Sequence, residues 1–128
     1  VRGINSPAVT YLYCAPHTFH MGGDVAGILE HAGDLVTHVH LADSFDHRAS
    51  SGLRYILNPP GTTARIHQHL DIGQGEVDFD ELFASLATAG FNGTVTTCVF
   101  AWEERARESS TFMRDKITEL MTKQGMQL

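Results

Sequence analysis

The chain has 128 residues, a net charge of −6 at neutral pH and a hydrophobic fraction of 42%. That is ample apolar material for a core, so a folded chain with one domain over residues 1–128 is expected. The acidic balance, with no run of Lys or Arg, leaves no electrostatic footprint for nucleic acid, and no apolar run approaches the roughly 18 residues of a membrane span. Two cysteines, Cys14 and Cys98, are too few for a disulfide framework. With no signal peptide in view, the cytoplasm is the expected compartment. The first residue is Val1, so a processed start or a longer natural protein is expected.

Residues 9–14 (Val-Thr-Tyr-Leu-Tyr-Cys) are rich in β-branched and aromatic side chains and predict a strand, which Pro16 ends. Gly22 and Gly23 break the run. Asp24 then stands as N-cap to a helix over 25–32, with Gly33 at its C′ position. Residues 35–41 alternate, so Val36, His38 and His40 share one face of a second strand and Leu35, Val39 and Leu41 the other. From 42 to 66 no period is sustained, and Gly52, Pro59, Pro60 and Gly61 punctuate a long loop that carries Arg48, Arg54 and Arg65.

The densest chemistry follows. His67 and His69 stand at i, i+2, Asp71 comes next, and Gly73 and Gly75 let the backbone turn sharply. This stretch opens a helix over 79–89, with Asp78 as N-cap, Glu81 as its partner at N3, and Val77 and Leu82 placed as a hydrophobic staple. Phe79, Leu82, Phe83 and Leu86 share its apolar face and Gly90 closes it. Asn92-Gly93 turns into a third strand over 94–100. A last helix over 104–122 places Phe112, Met113, Ile117, Leu120 and Met121 at helical spacing, where they read as core.

The order β-α-β-loop-α-β-α, with short turns after the helices, implies right-handed crossovers and an α/β fold of about three parallel strands with covering helices. Ligands in such units bind at the carboxyl ends of the strands. His17 and His20 follow the first strand, His40 and Asp43 end the second, Cys98 ends the third, and His67 and His69 come over the same end from the loop. Imidazole, carboxylate and thiol groups therefore converge from independent elements. His38 reads as a structural histidine, His31 and His47 as solvated, and Cys14 as an inert buried thiol.

Three segments carry a resemblance: Thr18-Phe19-His20-Met21, His40-Leu41-Ala42-Asp43-Ser44, and His69 through Gly75 with Val77-Asp78-Phe79. They resemble the last three strand units of the xylose isomerase-like (β/α)8 barrel superfamily, which includes sugar isomerases and epimerases, inosose-processing enzymes and apurinic endonucleases of the endonuclease IV type. The runs from His67 to Phe79 and from Thr97 to Glu104 are most similar to IolH-type proteins of myo-inositol catabolism. The implied fold is the C-terminal portion of a (β/α)8 barrel.

By this resemblance His40 matches a metal-binding histidine, and His20 a histidine that contacts substrate in the epimerases and metal in the endonucleases. His17 stands where the family has a metal-binding aspartate, and Cys98 where it has a glutamate. His69 matches a loop histidine of the endonuclease branch, and His67 replaces that branch's aspartate. The implied set is His17, His40, His67 and Cys98 for a divalent metal ion, and His20, His69 and Arg48 for substrate. No glutamate stands at the third strand's end, so the catalytic base would be Glu103, Asp43 or Asp71, or lie on strands that this sequence does not contain. Imidazole and thiolate donors are softer than carboxylates and favour zinc over manganese.

The function implied is metal-dependent isomerisation or epimerisation of a keto sugar or inositol-derived polyol. The alternatives are an apurinic endonuclease-like phosphodiesterase and a non-catalytic polyol-binding or assembly protein. A complete barrel takes roughly 250 residues and eight strands. Open sheet edges therefore lead to the expectation of a homo-oligomer or of the remainder of a longer chain.

Overall fold

A computed structural model describes residues 1–20, 22–45, 68–101 and 103–127. Its centre is a three-stranded sheet of β1 (Tyr11–Cys14), β2 (Val36–Leu41) and β3 (Thr94–Thr97), in spatial order β1-β2-β3. Both pairings are parallel, and Cys14, His40 and Thr96 lie side by side on one rung. Among the described residues four helices connect or cover the strands: α1 (Ala15–His20), α2 (Val25–Ala32), α3 (Phe79–Thr88) and α4 (Ala106–Lys123). The α/β architecture expected from the alternation of elements is the one found.

Alternation along the strands gives the sheet two unlike faces. Tyr13, Val39 and Leu41 point to the helices and are fully buried, and there they join Leu29, Leu82, Phe83 and Leu86 in one apolar cluster. Each such side chain contributes about 1.5–3 kcal/mol on burial. The opposite face carries Leu12, Cys14, His38, His40 and Thr96, each exposed or half-buried within the described residues. A polar, imidazole-rich face on one side of a well-packed layer is what a site needs.

The helix starts follow their caps. Asp24 accepts a hydrogen bond from the Gly27 amide at 3.0 Å and Asp78 from the Glu81 amide at 2.9 Å. Gly33, at φ 54°, ends α2 in the left-handed region that a Cβ disfavours.

Three boundaries differ from the sequence reading. The strand does end at Cys14, but the chain passes straight into α1, where Pro16 sits in the first turn and no intrahelical amide is lost. The third strand ends at Thr97, not at residue 100. Cys98 still donates its amide to the Leu41 carbonyl at 2.8 Å, and Phe100 then donates to the His69 carbonyl at 3.2 Å, so the chain leaves the sheet to meet the loop. A short 3-10 turn, Glu103–Arg105, precedes α4.

Candidate functional site

The carboxyl ends of the three strands gather the candidate residues. At the end of β1, α1 presents His17 to solvent and buries His20. One helical turn separates Cys14 from His17, and their Sγ and Nδ1 atoms lie 2.8 Å apart. On β2, His38 and His40 stand on the same face with ring centroids 5.1 Å apart, and His38 is tied through Nε2 to the Thr96 hydroxyl at 2.8 Å. The loop after residue 67 brings His69 over this end. Its ring meets His17 edge-on at 5.2 Å and stacks on Phe100 at 4.6 Å with 15° between the planes.

The state of His69 follows from chemistry. Nδ1 lies 2.5 Å from the Cys98 carbonyl oxygen, which can only accept, so the proton of the neutral ring sits on Nδ1 and its lone pair on Nε2. Burial pushes the ring's pKa down to about 4. The bond to the Cys98 carbonyl opposes that shift, and His17 and His40 add to it. His40 is lowered too, first by burial and then by His38 and His17. His40 and His69, from a strand and a loop, are thus both lowered at the place where the α1 residue His17 also lies. Burial pushes the Cys98 thiol up to about 11, with Cys14 adding to the rise, and it also raises Cys14. Both groups are thiols at neutral pH unless a cation draws off the proton.

The loop carrying His69 is built on two buried aspartates. Asp43, 1% exposed, bridges Leu70 through two backbone hydrogen bonds of 2.8 and 2.9 Å. Its carboxylate accepts from the amides of Ser44 at 2.9 Å, Gly73 and Gly75 at 2.8 Å, and Val77 at 3.0 Å. Gly75 is required here, because a Cβ would stand 2.5 Å from the Ser44 carbonyl oxygen and 2.6 Å from Asp43 Oδ1. Asp71, 3% exposed, accepts a hydrogen bond from Ser109 Oγ and lies 3.6 Å from the Arg105 guanidinium. These carboxylates, raised as base candidates by the sequence, are engaged in holding the loop.

His17, His40 and His69 are therefore brought together, with Cys98 and Cys14 beside them. His20 lies buried on α1. Arg48 and His67 fall outside the described residues, and Glu103 is placed only as the start of the 3-10 turn. Among the described residues no group of three or more His, Cys, Asp or Glu side chains is arranged to hold a metal ion.

Sequence reasoning passed over Cys14, Phe100 and Ser109. Cys14 is half-buried and partnered, where an inert thiol was expected, and its i, i+3 spacing from His17 becomes a signal once α1 is known to be helical. Ser109 carried no signal, since its partner is 38 residues away.

Residues 1–116 match the family described as xylose isomerase-like TIM barrel. Comparison with curated proteins gives no significant match. Among solved structures, the chain resembles an L-ribulose 3-epimerase at 15% identity and TM-score 0.66, over 97% of this chain and 40% of that one. It also resembles an IolI protein with a bound zinc atom at 20% identity and TM-score 0.69, over 96% and 41%. A third likeness is to a D-allulose 3-epimerase from Methylomonas sp. at 17% identity and TM-score 0.67, over 93% and 40%. The chain spans about two-fifths of the length of these proteins, and its three parallel strand units correspond to that part of the barrel.

Proposed function

Since this chain belongs to the xylose isomerase-like TIM barrel family, we propose that it forms part of a sugar isomerase or epimerase-like protein acting on a keto sugar or an inositol-derived polyol. The observation that carries this reading is the convergence of His17, His40 and His69, from three different elements, at the carboxyl ends of parallel strands. Inositol catabolism of the IolH type is the finer form of the proposal, and the run from His67 to Phe79 supports it.

The chemistry removes a proton beside a carbonyl and returns it to the opposite face of the same carbon in epimerisation, or to the neighbouring carbon in isomerisation. A neutral His69, with Nδ1–H committed to the Cys98 carbonyl, offers Nε2 as an acceptor for a sugar hydroxyl. His20 and Arg48 are the further substrate contacts in this proposal. With Asp43 and Asp71 engaged in the loop, the base role falls to Glu103 or to a carboxylate outside these 128 residues. A zinc or manganese ion belongs to the proposal, with His17, His40, His67 and Cys98 as this chain's share of its ligands and further donors from elsewhere.

Elemental analysis of the full-length protein tests this. About one zinc or manganese per chain is expected, and His40→Ala should lose it. Unchanged metal content in His40→Ala would contradict the ligand assignment. A non-catalytic polyol-binding role is the second reading, favoured by the imidazole of His17 and the thiol of Cys98 standing where a carboxylate would serve the chemistry. Turnover of a ketose by the full-length protein would reject it.

A further inference from the structure

The segment that follows His69 is tied to α4, the helix that comes after β3. Asp71 lies two residues beyond His69 and is 3% exposed. Its Oδ1 accepts from the hydroxyl of Ser109, itself 4% exposed on α4, and its Oδ2 faces Arg105 at 3.6 Å. One residue on, the Ile72 amide points at the Met113 sulfur at 3.2 Å, a second tie between the loop and the same helix. On the other side, Asp43 and Leu70 fix the loop to the end of β2. His69 therefore hangs between a clamp to the sheet and a latch to α4, and its ring must lie flat enough to stack on Phe100 while Nδ1 meets the Cys98 carbonyl.

The sheet clamp sets where the backbone of residue 70 runs. The Phe100 amide also holds the His69 carbonyl at 3.2 Å, and the Asp43 carboxylate holds the Gly73 amide at 2.8 Å. The stretch between these ties, residues 71 and 72, is held by α4 through Ser109 and Met113. A carboxylate buried beside a hydroxyl and a guanidinium is a charge-assisted arrangement, shorter and stronger than a neutral one. Losing one partner leaves a buried charge short of a donor.

We propose that Asp71, latched by Ser109, is the positioning residue that orients His69 so that the Cys98 carbonyl can hold its proton on Nδ1. This rests on the functional reading only in giving His69 a part in the site. The roles divide cleanly: Asp43 builds the loop, and Asp71 aims the imidazole.

The test is the His69 ring itself, observed by NMR in the full-length protein, with Ser109→Ala and Ser109→Thr compared. In the native protein the Nδ1–H proton should be visible and slow to exchange, with Nε2 unprotonated. Ser109→Ala should speed exchange of that proton about tenfold or more and mix the tautomers, while the amides of Gly73, Gly75 and Val77 stay protected. Ser109→Thr, which keeps the hydroxyl, should restore the native pattern, and Asp71→Asn serves if Ser109→Ala does not fold. Unchanged Nδ1–H protection in Ser109→Ala and Asp71→Asn would overturn the proposal. So would loss of protection across the Asp43-bound amides in the same variants, because the effect would then be general loosening. Loss confined to His69 in a protein with no ketose turnover would uphold the positioning role and defeat the functional reading.

Discussion

At the residue scale, Asp43 and His69 show how local chemistry decides roles. Asp43 holds four backbone amides at once, so removing its charge strands several buried donors. Asp43→Asn keeps the shape but turns an N–H donor toward amides that need an acceptor. A loss of about 3 kcal/mol or more is expected, read as a lower urea midpoint. A midpoint within error of the native one would contradict the structural role.

His69 gives a pH signature with a definite sign. Its folded pKa is about 4 against an ordinary value of 6.5, so between these values the unfolded chain binds a proton that the folded chain refuses. Its contribution is complete above pH 6.5 and is lost as pH falls toward 4. Stability should therefore rise with pH across that window, and His69→Gln should flatten the part of the slope that this group carries. Urea titrations at several pH values measure it.

At the element scale, the strands meet closely enough for one atom to matter. Gly93 begins the turn into β3, and a Cβ there would overlap the Thr37 backbone carbonyl across the strand pair. Gly93→Ala should cost about 1–3 kcal/mol, seen as a lower melting temperature, since backbone on an adjoining strand cannot step aside as a side chain can. Asp78→Ala, by comparison, removes only the cap of α3 and should cost about 1 kcal/mol.

Much of this was legible in the sequence, and the reasons are local. Asp24 and Asp78 announce their helices because a cap acts within three residues. His38 and His40 fall on one face because strand alternation follows the pleat, whereas Val36, expected beside them, lies in the core because the register shifts between its rung and that of His38. What stayed hidden depends on contacts far apart in the chain. Helix α1 was missed because Pro16 reads as a strand stop and six residues show no period. Asp43 looked like a base because its four amide partners, three of them 30 or more residues away, have no signature in the sequence. For the candidate site, the strand-end positions were foreseen and their mutual geometry was not.

At the scale of the whole molecule, a sheet of three parallel strands has β1 and β3 at its two edges, each paired only with β2 among the described residues. Proteins of this family close such a sheet into a barrel, and the compared structures are about two and a half times as long. Open edges and an uncovered inner face invite pairing. The 128-residue chain by itself is therefore expected to self-associate, giving a light-scattering mass well above 14.0 kDa. A monomer at high concentration would contradict this. No helix among the described residues is long and apolar enough to cross a membrane.

On the function proposed above, this strand-end cluster belongs to a protein that moves a proton beside the carbonyl of a keto sugar or inositol-derived ketone. The most direct measurement is deuterium incorporation. Full-length protein is incubated in D2O with candidate ketoses, with and without added zinc or manganese, and the carbon next to the carbonyl is followed by NMR. Deuterium at that carbon, lost in His40→Ala, is the predicted result. Metal bound at the site with no exchange in any ketose would contradict it.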